Sequence, residues 1–112
     1  MKLSDKQAIF AKNVARLILY IFEKGYSCSL GEVFRTQAQA EIYAKTGKGI
    51  KDSLHCKRLA IDINLFSPDG KYFPETKDYE PFGKYWETLD TNNVWGGKFA
   101  DGNHFEMKDN EN

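Results

Sequence analysis

The chain contains two histidines, and both stand among carboxylates. His55 precedes Asp62 in Ser53-Leu54-His55-Cys56-Lys57-Arg58-Leu59-Ala60-Ile61-Asp62, and His104 lies in Asp101-Gly102-Asn103-His104-Phe105-Glu106. Two imidazoles and one carboxylate (His55, His104, Asp62) are a complete protein ligand set for a catalytic zinc, which keeps its fourth position for water. Asp101 is placed to accept a proton from that water. Glu106 could fill the same role, or stand behind a ligand and orient it. Such a set hydrolyses an amide: water attacks a carbonyl polarised by the metal, and the carboxyl returns its proton to the leaving amine. The residue types point to a metallohydrolase, with Zn2+ suited to the donors and other divalent ions also accepted.

The same residues have plainer readings. A histidine near a strand often makes ordinary hydrogen bonds, and Asp62 on a half-exposed strand would be solvated. Trp86, Trp95 and Phe99 read as core and loop packing rather than a cofactor platform. Cys56 adjoins His55, but neighbours on an extended segment face opposite ways, so Cys56 reads as a packed thiol. Cys28 and Cys56 together read as two reduced thiols. Gly47-Lys48-Gly49-Ile50-Lys51-Asp52 has no Gly-Lys-Ser/Thr ending and no buried strand before it, so it is a flexible loop and not a phosphate cradle.

The elements that must position these groups follow from periodicity. Ser4-Asp5-Lys6-Gln7 matches a capping box, and Phe10, Val14, Leu17 and Ile21 recur at helical spacing up to Gly25, predicting a helix from Asp5 to Lys24. Tyr26 to Phe34 alternates as a strand. Thr36 caps a short helix over Gln37 to Lys45, closed by Gly47. Leu59 to Phe66 is the clearest strand, with Leu59, Ile61, Ile63 and Leu65 on one face and Ala60, Asp62 and Asn64 on the other. Ser67-Pro68-Asp69-Gly70 predicts a turn into a hairpin partner, Lys71 to Phe73. Tyr79 to Leu89 is a third helix, Thr91 to Asp101 a Gly- and Asn-rich loop, Asn103 to Met107 a last strand, and the polar tail from Lys108 frays. This is an α+β pattern with a small antiparallel sheet. His55 and Asp62 are seven residues apart, an odd separation that puts them on opposite faces of a continuous strand. The chain must bend between Cys56 and Arg58 if both are to hold one ion.

At 112 residues the chain is one domain, 1–112. A hydrophobic content of 41% and an aromatic content of 14% fit a folded protein. The formal net charge of zero argues against a nucleic-acid partner. The N-terminus leads into an amphipathic segment without an apolar signal core, and Val14 to Phe22 is too short and too charged to span a bilayer. The expectation is a monomer without membrane insertion, held in the cytoplasm until it is released to its substrate.

These residues resemble the zinc D-Ala-D-Ala peptidase family, the M15-type group of D-alanyl-D-alanine carboxypeptidases, dipeptidases and small phage endolysins. Its pattern is Ser-x-His-x-x-Gly-x-Ala-x-Asp, then an acidic residue three positions before a second His. Ser53, His55, Ala60 and Asp62 match in register, and Asp101-Gly102-Asn103-His104 matches the distal element. Trp95-Gly96-Gly97-x-Phe99 and His104-Phe105-Glu106 are similar to the last-ligand segment of phage L-alanyl-D-glutamate endopeptidases. The resemblance runs from Phe34-Arg35-Thr36 to Glu106. It implies a Hedgehog/DD-peptidase-like fold, zinc on His55, Asp62 and His104, and Asp101 as general base. It also implies that Arg35 stabilises the developing oxyanion or anchors substrate, where its ordinary role would be a surface pair with Glu32 or Glu41. Ser53 would contact substrate or orient His55. Arg58 replaces the family's Gly, so the bend would be made in an ordinary backbone region, and Arg58 would favour an acidic group of the substrate. The implied function is that of a zinc metallopeptidase hydrolysing peptidoglycan stem peptides, an L-alanyl-D-glutamate endopeptidase acting as a phage-type endolysin. The alternatives are a D-alanyl-D-alanine carboxypeptidase or dipeptidase, and a non-catalytic metal-containing binding module.

Overall fold

In a computed structural model, which describes residues 1–50 and 52–109, the elements run α1 (Leu3–Glu23), β1 (Ser27–Leu30), α2 (Gln37–Lys45), β2 (Ala60–Phe66), β3 (Tyr72–Phe73), α3 (Glu80–Leu89), β4 (Asn93–Trp95) and β5 (His104–Met107). Single 3₁₀ turns at Leu54–Lys57, Thr76–Tyr79 and Gly96–Phe99 connect them. Lys51, in the loop before the first histidine, lies outside the described residues, as do residues 110–112.

The fold is α+β, and β2 is its axis. β1 pairs antiparallel along one edge of β2, Leu30 opposite Ile63 and Ser27 opposite Phe66. The other edge is shared: β5 pairs with the start of β2 and β3 with its end. β4 closes the sheet beyond β5. The alternation in β2 is obeyed, with Leu59, Ile61, Ile63 and Leu65 all buried against α1 and α3. Phe10, Leu17 and Ile21 of α1 and Phe82 and Trp86 of α3 complete that core, and Phe10 and Phe105 meet the Trp86 ring edge-on. Trp86 Nε1 donates to the Glu106 carbonyl at 3.0 Å, so α3 also fixes β5. No helix among the described residues is long and apolar enough to cross a membrane.

Four local expectations are corrected. Helix α1 begins at Leu3 without a side-chain cap; Ser4 lies inside its first turn, and Gln7 Nε2 donates to the Lys57 carbonyl at 2.8 Å instead of reaching back. The first strand is shorter than Tyr26 to Phe34 and ends at Leu30. The stretch read as loop from Thr91 contains β4, because Val94 pairs with Glu106 and Asn93 Nδ2 donates to the Trp86 carbonyl at 2.9 Å. The tail is held as far as Asp109: Lys108 N donates to the Asn92 carbonyl at 2.8 Å, and the Asp109 carboxylate pairs with Lys6 and Lys57.

The glycines around β4 are packing residues. A Cβ on Gly83 would lie 2.1 Å from the Trp95 ring and one on Gly97 2.3 Å from it. The indole is thus held between two bare backbones, and its Nε1 donates to the Gly102 carbonyl at 2.7 Å, beside Asp101. Gly83→Ala is expected to overpack this contact and cost about 1–3 kcal/mol, read as a lowered urea midpoint. An unchanged midpoint would show that the indole can move aside.

Candidate metal centre

His55 enters the site on the Leu54–Lys57 turn, whose first residues are capped by Ser53: its buried Oγ accepts from His55 N at 3.1 Å. Ser53 also lines the cavity described below. The turn supplies the bend that the odd spacing demands. Its exit residue is Arg58, at φ 55 and ψ 39. The bend is therefore not made in an ordinary backbone region: a non-glycine residue takes the left-handed conformation, at a cost of about 1–2 kcal/mol. The Arg58 guanidinium lies 4.0 Å over the Phe34 ring, a cation–π contact that offsets part of the strain. Arg58 is not among the residues that line the cavity.

Asp62 and His104 face each other across β2 and β5 as register partners, and Ala60 faces Glu106. Directly opposed residues of antiparallel strands share a face, so Asp62, His104 and Glu106 come together from the register alone. Asp62 Oδ1 lies 3.5 Å from His55 Nε2 and 3.2 Å from His104 Nδ1. One ligand atom from each of the three residues lies within 4.8 Å of the other two. Donors about 2.0–2.1 Å from a tetrahedral zinc stand about 3.3 Å apart, so the two pairs through Asp62 already have ligand-shell spacing.

The outer nitrogens explain why the inner ones are available. His55 Nδ1 lies 3.4 Å from the Val33 carbonyl and 3.6 Å from Glu32 Oε1, and His104 Nε2 lies 2.7 Å from Glu106 Oε1. Acceptors on the outer side favour the tautomers that carry their protons there, which turns two imidazole lone pairs toward one carboxylate. Three electron-rich atoms facing one another need a cation or a proton between them. In the metal-free protein the proton fills that need. Burial would push the Asp62 carboxyl up, but hydrogen bonds from His104 and His55 outweigh it and bring its pKa down to about 2. Burial would push His104 down, but its bonds to Asp62 and Glu106 raise it to about 9.

A cation must displace that proton. Zinc affinity is therefore expected to rise about tenfold per pH unit below pH 9, with close to one proton released per ion bound by calorimetry in buffers of differing ionisation enthalpy. In the metal-free chain the raised His104 contributes stability that is fully present below its ordinary pKa of 6.5 and is lost as pH rises through about 9. The depressed Asp62 contributes stability present above 3.8 and lost as pH falls through about 2. A zinc affinity independent of pH between 6 and 9 would contradict this assignment.

The segment Gly31 to Arg35 threads between the ligands. Gly31 N donates to the Asp62 carbonyl, Asp62 N to the Glu32 carbonyl and Arg35 N to the His55 carbonyl, at 2.7, 2.9 and 3.2 Å. A Cβ at Gly31 would stand 3.1 Å from the Asp62 Cβ, so the segment approaches this closely because the residue is glycine. Glu32 receives the Arg35 guanidinium, which also lies 4.9 Å over the Tyr43 ring. Arg35 Nε is buried without a hydrogen-bond partner among the described residues. Glu32 and the Val33 carbonyl thus support His55. Their residue types gave no sign of it, because an acid three residues before an arginine reads as a surface pair.

A cavity of about 550 Å³ opens over His55, Asp62 and His104 and is also lined by Arg35, Ser53, Asp101 and Glu106. Asp101 is outside the ligand group but inside this cavity. Its backbone is pinned on both sides, Asp101 N donating to the Gly96 carbonyl at 3.0 Å and His104 N to the Asp101 carbonyl at 3.1 Å. A Cβ on Gly96 would lie 2.3 Å from that carbonyl, so the glycine permits the close turn. Phe99, read as packing, is instead 71% exposed at the cavity rim. Cys56 turns its Sγ to the Thr36 carbonyl at 3.9 Å, away from the ligand set, and both cysteines are free.

A family model described as D-alanyl-D-alanine carboxypeptidase, of the M15 peptidase type, matches residues 46–107, which hold His55, Asp62, Asp101, His104 and Glu106. No curated protein sequence matches the chain. Among solved structures, the crystal structure of the L-Ala D-Glu endopeptidase ChiX from Serratia marcescens is similar, with a TM-score of 0.62 and 22% identity over 73% of this chain and 67% of that one. At that identity the likeness is one of fold.

Proposed function

The chain belongs to the M15-type peptidase family described as D-alanyl-D-alanine carboxypeptidase, and we propose that it is a zinc metallopeptidase hydrolysing peptidoglycan stem peptides at the L-alanyl-D-glutamate bond, in the manner of a phage endolysin. The observation that carries the metal assignment is the facing of two imidazole nitrogens and the Asp62 carboxylate within 4.8 Å of one another, with an acceptor behind each ring. When bound, zinc would supply Lewis acidity toward the scissile carbonyl and toward water.

The remaining work falls to the chain's own groups. His55, Asp62 and His104 would hold the ion. Asp101, in the cavity but free of the ligand set, takes the proton of the attacking water and returns it to the leaving amine. Glu106 is occupied by His104 Nε2, which favours an orienting role over that of base. Arg35, held by Glu32, brings a fixed cation to the cavity wall, suited to charge building on the carbonyl oxygen or to a substrate carboxylate. Ser53, capping the His55 turn, orients that ligand. A phage-type role would keep it in the cytoplasm until lysis.

The D-alanyl-D-alanine carboxypeptidase reading is favoured by the description of the matching family, and it shares the catalytic set. A non-catalytic module would have no use for a free carboxylate beside the ligands. Purified chain is expected to clear outer-membrane-permeabilised cells, with chelator abolishing the effect. Mass analysis of the digested muropeptides should show new amino-terminal D-glutamate. Release of D-alanine alone would move the chain to the carboxypeptidase reading, and intact muropeptides with zinc bound would leave only the binding module.

A further inference from the structure

A cluster of charged side chains lies outside the candidate site and joins the two ends of the chain to the turn that carries His55. Lys6 Nζ, buried in the first turns of α1, lies 2.5 Å from Asp109 Oδ1, and Lys57 Nζ meets Asp109 Oδ2. From the next residue of α1, Gln7 Nε2 donates to the Lys57 carbonyl at 2.8 Å. The tail is led to this point by Met107 N donating to the Leu59 carbonyl and Lys108 N to the Asn92 carbonyl, at 2.9 and 2.8 Å.

The turn thus gripped has little to hold itself. It is four residues long and exits through Arg58 in the left-handed region. Its internal closures are Cys56 N to the Ser53 carbonyl at 3.0 Å, Arg58 N to the His55 carbonyl at 3.3 Å and Leu59 N to the Leu54 carbonyl at 3.0 Å, and Arg35 N reaches the His55 carbonyl from the neighbouring segment at 3.2 Å. A single 3₁₀ turn with poor bond geometry and a strained exit does not persist unaided. Its entry is capped locally by Ser53, and its last residue, Lys57, is anchored from outside by Gln7 and Asp109. Burying the Lys6 ammonium costs desolvation that a hydrophobic residue would avoid, and the carboxylate that pairs with it also reaches Lys57 on the ligand-bearing turn.

We propose that Asp109, bridging Lys6 and Lys57, is a positioning residue that holds the Leu54–Lys57 turn, and so His55, in its metal-competent place. It touches neither ligand nor substrate and acts through Lys57. The proposal rests on the reading of His55 as a metal ligand, and the test separates the two. Amide exchange at Cys56, Arg58 and Leu59 is measured in metal-free protein, and zinc affinity by chelator competition, for wild type, Lys57→Met, Asp109→Asn and the double variant. Val94→Ala, on the far strand, serves as a comparator of reduced stability. Outer-shell partners of a metal site typically contribute 10–100-fold in affinity, so one step further out Lys57→Met and Asp109→Asn should each weaken zinc binding about threefold. Exchange in the turn should quicken several-fold in both. The double variant should lose no more than Asp109→Asn, since both act through one bridge. Unchanged exchange and affinity in both variants, or equal losses in Val94→Ala, would overturn the proposal. Failure of the wild type to bind zinc would instead overturn the metal reading, with the exchange comparison still deciding whether the bridge holds the turn.

Discussion

Asp101→Ala should lower stem-peptide hydrolysis by about 10²–10⁴-fold, the usual contribution of a positioned general base, while zinc content stays at one per chain. The separation of the two effects follows from placement. Asp101 lines the cavity but is not part of the His55, Asp62, His104 group, so its loss removes a proton acceptor without opening the ligand shell. The side chain is exposed and its backbone is fixed by Gly96 and His104, so truncation at Cβ should leave the fold intact. The loss should appear in kcat more than in KM, because proton transfer belongs to the transition state. Activity reduced less than tenfold would shift the base role to Glu106. Zinc lost together with activity would move Asp101 into the ligand shell.

Asp62→Asn should have the opposite signature, with metal and activity lost together. Asp62 Oδ1 is the atom both imidazoles face, at 3.5 and 3.2 Å. Zinc binding of about 10–16 kcal/mol in structural sites, divided among three or four ligands, makes the loss of one about 10³-fold in affinity. The amide is nearly isosteric, so the strand pairing of Asp62 with His104 should survive. Asparagine also removes the charge that holds the His104 proton, so His104 should titrate well below about 9 in the metal-free variant, by NMR. Asp62→Asn protein that binds zinc as tightly as wild type would remove Asp62 from the site.

The parts of this structure legible in the sequence are those fixed by a strong local period or by paired residue types. The β2 alternation put Leu59, Ile61, Ile63 and Leu65 inside and Asp62 on the other face, and Thr36 marked the start of α2, where its side chain accepts from Gln39 N. The two histidines and Asp62, singled out by residue type, are brought together by the fold within 4.8 Å. What could not be read depends on partners distant in sequence. Gln7 matched a local capping pattern but bonds to Lys57, fifty residues on. β4 opens on an asparagine and abuts a pair of glycines, and it is a strand only because β5 lies beside it. Glu32 supports His55 through a chain reversal that no spacing rule encodes. Arg58 shows the limit most plainly: sequence showed that a bend was needed, while tertiary contacts, including the Phe34 ring, decided that a non-glycine residue would make it with positive φ.

The central claim is tested most directly by X-ray absorption at the zinc edge on the loaded chain. Two imidazole nitrogens and carboxylate oxygen at about 2.0–2.1 Å, with no sulfur, are the predicted shell. A scatterer at about 2.3 Å would bring in a cysteine thiolate. That result, or a chain that takes up no zinc at all, would contradict the assignment of His55, Asp62 and His104 as the ligands.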